Sequence, residues 1–563
     1  MTGGGWRRAR AASALLAGGA LAACAAIPQS GPVSDGVDGA VRDQRGVVVL
    51  AQGPQDGADP EAIVDGFLLA ADAEVTEDFD VTREFLAADV RSEWDPGAGT
   101  IVAASRTVEQ TGDAQVTVSL EVTAKVDADG RYVEAPRDAV ETLRYELVQD
   151  ARGAWRIAHA PDGVVVNAPR FGQQFRSTTL YFLTPDKKML VPEVRWFRDR
   201  EGSVPTAVVR ALLAGPSPWL RDAVTTELPE GAKLSPEAVL IEQGGVAEVT
   251  LEPARAVQDA DRGLLLAQLE ATLRPLGVTL VHVRAGVAEA LLEGVATVMP
   301  VAEPADLELL VGGETLRLDG GGPAAVDGVR AVEGADPRGL ARSADGSVRV
   351  ALVDSTSLVS VPAGETEQQT LLTGAALAPP SVDRFSWVWT SRSSVAGYLE
   401  AVGPDGARVD LTADWLVGRD VRAVRVSRDG TRVAIVSGGP DGATLDVAGV
   451  TRDDDGAPLT VGSGVRAGAS LTPAASLVWV DDVTLGVLSE GEAGRMPYLV
   501  PVSGRSMPLP AVADAVGLAA DRGERTLYVV TAAGELRRYE GGTWVAVPDV
   551  TGVLTVTGAA FPG

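Results

Sequence analysis

From about residue 320 to the end, helical patterning disappears and one short unit recurs. Ser343-Ala344-Asp345-Gly346-Ser347 runs into Val348-Arg349-Val350-Ala351-Leu352-Val353, and Ser427-Arg428-Asp429-Gly430-Thr431 runs into Arg432-Val433-Ala434-Ile435-Val436. A looser copy leads from Ala520-Asp521-Arg522-Gly523 to Leu527-Tyr528-Val529-Val530. Each reads as an Asp-Gly-type turn between an incoming strand and an alternating one. Gly346, Gly430 and Gly523 stand 84 and 93 residues apart, about twice the ~40–45-residue repeat of a four-stranded propeller blade. Phe385-Ser386-Trp387-Val388-Trp389 and Leu477-Val478-Trp479-Val480-Asp481-Asp482 fall halfway between these turns, so five imperfect blades are visible. Closing the ring calls for a shared blade. Val553-Leu554-Thr555-Val556 is the candidate strand, beside one near residues 307 to 318, for a ring of five or six blades. Trp387, Trp389 and Trp479 occupy equivalent places in the repeat, which reads as packing between blades rather than as the floor of a sugar-binding channel.

Two further units precede the ring. Asp59-Pro60-Glu61 opens a helix, with Asp59 as cap, Pro60 in the first turn and Glu61 complementing the dipole. Ile63, Val64, Phe67, Leu68 and Ala71 form its buried stripe. A second short helix is expected near residues 83 to 89, with Phe85 and Leu86 inward. From Val116 the period becomes two, with Val116, Val118, Leu120, Val122, Ala124 and Val126 inward. Asp127-Ala128-Asp129-Gly130 turns the chain back to Leu143, Tyr145 and Leu147, and then to Trp155 and Ile157. This α+β order is similar to the cone-shaped folds related to nuclear transport factor 2, and Tyr145 and Trp155 read as core. Past residue 178, strands at 179–184 and 190–197 flank a turn. A helix carrying Val208, Val209, Leu212 and Leu213 ends at Gly215-Pro216. A strand at 246–251, a Leu-rich helix at 264–273 and a strand at 278–283 complete an α/β sandwich.

The N-terminus has a different character. Arg7, Arg8 and Arg10 precede an uncharged apolar run to Ala23, too short to span a bilayer and laid out as a secretory signal. It ends in Leu21-Ala22-Ala23-Cys24, and Cys24 is the single cysteine of 563 residues. The pattern resembles the lipobox of bacterial lipoproteins, which implies an S-diacylglycerol and an N-acyl group on Cys24 after cleavage before it. Residues 24–57 then read as a Pro/Gly-rich tether, with one strand-like stretch at 47–50, averaging about 30 Å end to end and reaching about 100 Å when taut.

Composition narrows the function. A formal charge of −28 opposes binding to a phosphate backbone, so nucleic acid is excluded as a partner. The two histidines, His159 and His282, fall within strand patterns, and no H-E-x-x-H, G-x-S-x-G or P-loop is present. Asp453-Asp454-Asp455-Gly456 lacks the alternate spacing of a calcium loop and reads as a turn. No cofactor, metal or catalytic residue is expected.

Leu180-Tyr181-Phe182, the run from Pro205 to Leu213-Ala214-Gly215-Pro216, and Leu228-Pro229-Glu230-Gly231-Ala232-Lys233-Leu234 look like the GerMN domain of spore-germination proteins. With the lipobox, Ile27-Pro28-Gln29-Ser30-Gly31-Pro32, Gly66-Phe67-Leu68-Leu69-Ala70 and Arg83-Glu84-Phe85-Leu86, the whole chain resembles the LpqB family of actinobacterial lipoproteins. The expected layout is multidomain: signal peptide 1–23, lipidated tether 24–57, cone-like α+β domain 58–170, GerMN-like α/β domain 178–305, and all-β propeller 320–563. Tyr181 and Trp196 are read as packing residues rather than a binding surface. The resemblance transfers one functional position, Cys24. It implies a non-enzymatic protein anchored to the outer face of the cell membrane, with the extracytoplasmic domain of the sensor histidine kinase MtrB as partner, working with the response regulator MtrA. The alternative is an exported propeller hydrolase or lyase, or a glycan-binding protein, acting on envelope polysaccharide. Converging buried carboxylates on the propeller's central face distinguish that alternative.

Overall fold

The computed structural model describes residues 51–74, 78–199, 203–286, 295–299, 305–320, 322–392, 397–491 and 494–563. The signal peptide, Leu21, Ala22, Ala23, Cys24 and the strand-like stretch at 47–50 lie outside them.

The first helix spans Pro60–Ala73, and the Asp59 carboxylate accepts the Ala62 N–H at 2.9 Å. It packs on a six-stranded sheet ordered Trp155–His159, Val140–Gln149, Gln115–Asp127, Gly99–Gly112, Val164–Asn167, with Tyr132–Glu134 paired to Gln115–Asp127. The alternating residues from Val116 to Val126 are all buried, as their period of two requires. The second helix differs from expectation. It is one turn, Asp80–Arg83, and the segment after it is drawn to the sheet: the Ala87 N–H donates to the Ile157 oxygen (2.8 Å) and the Ile157 N–H to the Phe85 oxygen (2.9 Å). Those amides satisfy the backbone through the sheet, so helix does not continue, yet Phe85 and Leu86 are buried as expected.

In the middle region, Phe175–Leu183 and Leu190–Arg198 form an antiparallel hairpin, and helix Val204–Ala214 stops at Gly215, whose φ is +89°. Val246–Glu252 runs parallel to Leu280–Ala285, and helix Arg262–Leu273 buries its leucines between this sheet and the hairpin.

The remainder forms six sheets of four or five strands. Their innermost strands are Arg338–Arg342, Ser381–Val382, Asp420–Val426, Pro473–Trp479, Ala515–Ala519 and Val556–Ala560, each touching the next and the last touching the first. The ring is therefore closed and has six blades. The closing blade joins the C-terminal strand Val556–Ala560 to Leu307–Val311, Glu314–Asp319 and Gly322–Ala325. The expected boundary at 320 thus falls inside a blade. Two of that blade's strands precede it, because ring closure borrows chain from the N-terminal side of the repeat.

The recurrent turn has a physical basis. Ser343 Oγ donates to Asp345 Oδ1 (2.6 Å), Asp345 accepts from the Ser347 N–H (3.0 Å), and the Val348 N–H donates to Ser343 Oγ (3.0 Å). Ser427, Asp429, Thr431 and Arg432 repeat the same pattern at 2.8, 2.8 and 3.1 Å. In the looser copy Thr526 Oγ1 accepts the N–H of Arg522 (2.8 Å), and a 3-10 turn at Glu524–Thr526 supplies the reversal. Every such turn links an innermost strand to its outer neighbour.

Candidate functional site

The propeller's centre is the first place to look for chemistry. A cavity of about 60 Å³ there is lined by residues from all six innermost strands, among them Arg342, Arg425, Arg428 and Trp479, and by residues 561–563. Its charged lining is cationic. Arg342 pairs with Glu308 (3.5 Å) and Arg428 with Asp521 (3.5 Å). Arg425 bonds through Nη1 to the carbonyls of Pro379 (3.1 Å), Pro380 (3.1 Å) and Val424 (2.7 Å), and loss of solvent brings its pKa down to about 10.

The buried carboxylates of the ring are bound to arginines. Asp383 holds Arg452 (2.7 Å) and the Trp389 indole (2.8 Å); Glu308 holds Arg349 (2.8 Å); Asp429 pairs with Arg432. Burial opposes ionisation of Asp429, but the Arg432 charge and the Thr431 hydrogen bonds outweigh it and hold the carboxyl below its usual range. A carboxylate so held is a poor proton donor near neutrality. Two ring carboxyls do shift upward by burial, Glu400 and Asp482, but they stand in different blades, on an outer strand and a turn respectively. Glu400 and Asp482 therefore do not face each other across one site.

The tryptophans expected to pack do so. Trp389 is fully buried, Trp387 nearly so, and Trp479 donates its indole N–H to the Arg425 carbonyl (3.2 Å) beneath the Arg432 guanidinium, whose carbon is 5.1 Å from the ring centroid. Asp453 forms a turn, its carboxylate accepting from Asp455 (3.1 Å) and Ala457 (2.8 Å). His159 and His282 are strand residues, with His282 Nδ1 3.4 Å from Glu248. Among the described residues no group of His, Cys, Asp and Glu is placed to hold a metal ion, and no helix is long and apolar enough to cross a membrane.

What sequence reasoning missed is the junction of the three regions. Trp196 sits against Tyr132 (centroids 5.3 Å) and Phe171 (5.1 Å), and its indole N–H donates to the Ser503 carbonyl (2.9 Å). The Tyr132 N–H donates to Ser503 Oγ (3.0 Å), and Glu134 accepts from Ser470 (3.1 Å) and Ser506 (2.6 Å). Arg432, only 1% exposed, reaches out of its blade to the Pro192 carbonyl (3.3 Å) as well as that of Asp482 (2.7 Å). Trp219, Leu220 and Ala223 pack into one buried cluster with Ala434, Leu445, Val447 and Leu485 of the ring. A Cβ on Gly449 would lie 2.9 Å from the Trp219 carbonyl, so glycine is what admits this approach. One signal in the sequence was available: an arginine, Arg432, opening an otherwise apolar strand.

The described residues thus form a six-bladed propeller packed against a hairpin-containing α/β unit and a curled α+β unit. Family comparison follows the same order. A model described as the N-terminal domain of lipoprotein LpqB matches residues 53–172, one for sporulation and spore germination matches 179–286, and one for the LpqB beta-propeller domain matches 313–554. The chain is similar to Lipoprotein LpqB of Streptomyces avermitilis (28% identity, 97% of this chain and 98% of that one). It is also similar to the LpqB proteins of Streptomyces coelicolor (29%, 87% and 88%) and Cutibacterium acnes (26%, 88% and 88%). The chain belongs to the LpqB family of lipoproteins. Among solved structures, virginiamycin B lyase of Staphylococcus aureus covers 43% of this chain and 79% of its own at 11% identity and a TM-score of 0.30, too remote to bear on function.

Proposed function

We propose that this protein is anchored by lipid on Cys24 to the outer face of the cell membrane and acts by binding, without turnover, the extracytoplasmic domain of a sensor histidine kinase of the MtrA/MtrB type. The observation that carries the anchor is the single cysteine, placed after Leu21-Ala22-Ala23 at the end of an uncharged signal run. Two or three acyl chains hold a protein stably at a bilayer where one does not. Confinement to the same surface raises the effective concentration of a partner toward the millimolar range, so a micromolar interface suffices. The partner class is what the resemblance to the LpqB family implies, and the arginine-bound carboxylates of the ring favour recognition over glycan cleavage. To change kinase output, the protein must bind the two signalling states unequally.

The test has two arms. Cys24→Ala is expected to release the protein from the membrane fraction and abolish acyl labelling. Residues 50–563 titrated calorimetrically into the isolated kinase ectodomain are expected to bind at micromolar concentration. Retained acyl label in the variant removes the anchor, and absence of binding together with unchanged kinase-dependent phosphorylation removes the partner.

A further inference from the structure

The cavity at the centre of the propeller has side chains of one charge on its wall. Arg342, Arg425 and Arg428 line it, and none of its lining residues is an aspartate or glutamate. Arg428 has Asp521 at 3.5 Å, with Asp481, Asp482 and Arg522 acting from further away. Arg342 is less well matched. It stands 3.5 Å from Glu308, but both oxygens of that carboxylate already hold Arg349 at 2.8 Å, and Arg342 Nε is buried without a hydrogen bond among the described residues.

Arg425 has no aspartate or glutamate partner among the described residues. Its hydrogen bonds leave from one nitrogen, Nη1, to the main-chain oxygens of Pro379 (3.1 Å), Pro380 (3.1 Å) and Val424 (2.7 Å). Carbonyl oxygens satisfy a donor but carry no net charge. Loss of solvent is the one influence that moves its pKa, and no neighbouring carboxylate opposes it. A guanidinium held in this way is costly unless a counter-charge reaches it. The cavity has room for one, since about 60 Å³ at ~10–15 Å³ per water-sized centre takes roughly four to six heavy atoms. The chain's net charge of −28 does not forbid an anion here. Beyond a screening length of about 8 Å the surface acids fade, and the wall sets the local field.

We propose that the propeller's central cavity binds one small, doubly charged oxyanion, a phosphate group, held by Arg425 and Arg342. Two under-compensated guanidiniums match two negative charges, and the planar fork of arginine presents paired donors to phosphate oxygens. The cavity is open to solvent, so the same chemistry is met by the free ion and by a phosphate that ends a larger molecule. The site is independent of the kinase reading, because it concerns a different class of ligand and needs no membrane anchor.

The test titrates inorganic phosphate calorimetrically into residues 50–563, which form one compact unit, at a mildly alkaline pH where phosphate is a dianion. Acetate is the singly charged control. Saturable binding of phosphate at one site is expected, with acetate at least tenfold weaker. Glycerol 1-phosphate separates the two sources: affinity equal to that of phosphate assigns the site to a terminal phosphate, and weaker affinity assigns it to the free ion. Arg425→Met is expected to weaken phosphate at least tenfold, the worth of a hydrogen bond to a charged group. Arg330→Met, which removes an exposed arginine paired with Glu367, is expected to leave it unchanged. No saturable binding, acetate as tight as phosphate, or equal affinity in the two variants overturns the proposal. Binding that emerges only after residues 562–563 are removed overturns it too, because the chain itself then fills the cavity. If Arg425→Met fails to melt cooperatively, Arg342→Gln decides, and unchanged affinity there overturns the proposal.

Discussion

Trp196 in the middle region donates its indole N–H to the main-chain oxygen of Ser503 in the propeller at 2.9 Å, across 307 residues of sequence. The same ring lies against Tyr132 and Phe171 of the N-terminal region. One side chain therefore touches all three regions, and around it the contacts are polar and directional. Interfaces between domains of one chain are ordinarily mobile unless large and well packed. Here the packed aromatics, serine–carboxylate bonds and the Arg432 fork join the three regions in one compact unit.

Trp196→Ala is expected to uncouple that unit. Removing a fully buried aromatic costs about 3–5 kcal/mol; Trp196 is partly buried, so the loss is smaller, and it falls on the junction rather than on any one core. Calorimetric unfolding is expected to change from one transition to more than one, with faster proteolysis between the regions. A single transition at unchanged temperature would show that the indole does not hold the junction.

Arg432→Met leaves Asp429 as a buried carboxylate without its cation. Breaking such a pair costs about 3–5 kcal/mol, more than replacing both partners together. The Asp429 pKa is depressed in the native protein. Its contribution is therefore present above the ordinary carboxylate range and is lost as pH falls through the folded value, below about 4. In Arg432→Met the carboxyl takes up its proton at higher pH, so melts from pH 3 to 7 should show the variant's deficit narrowing on acidification. Asp429→Asn in the same chain should recover part of the loss.

Tyr132 gives the opposite, alkaline signature. Burial, then the Glu134 charge, pushes its pKa up to about 12 from 10.0. The unfolded chain loses this proton near pH 10 while the native chain keeps it, so the contribution is complete below pH 10 and is lost between about 10 and 12. Two pK units correspond to about 3 kcal/mol. Tyr132→Phe should flatten the stability profile over that interval, followed by melting temperature and by phenolate absorbance.

Local pattern carried much of this architecture. The strand Gln115–Asp127 was legible because its alternation is unbroken over six buried positions, and the first helix because cap, proline and stripe agree. Its neighbour Gly99–Gly112 was not, since register shifts at Val102/Ala103, Ala103/Ser105 and Gln110/Gly112 break the period that would reveal it. The propeller turns were visible because Ser343 and Ser427 make the same hydrogen bonds. Trp196 was read correctly as packing, but its partner Ser503 lies too far along the chain for any local pattern to indicate.

Ring closure gives the sharpest test of where the propeller begins. Leu307–Val311 is hydrogen-bonded on one side to Glu314–Asp319 and on the other to Val556–Ala560, so it is an interior strand of the last blade. A fragment starting at 320 removes it, and with it Leu307, Leu309 and Leu310, which are buried in the intact ring, and leaves Val556–Ala560 with an unpaired edge. Exposed strand edges of this kind promote association between chains. The fragment 320–563 is therefore expected to aggregate or melt without cooperativity, whereas 305–563 should melt cooperatively and regain the edge pairing. Restoring the missing strands as a separate peptide covering 305–320 should bind the shorter fragment. Equal, cooperative melting of both fragments would mean that the sixth blade does not close the ring.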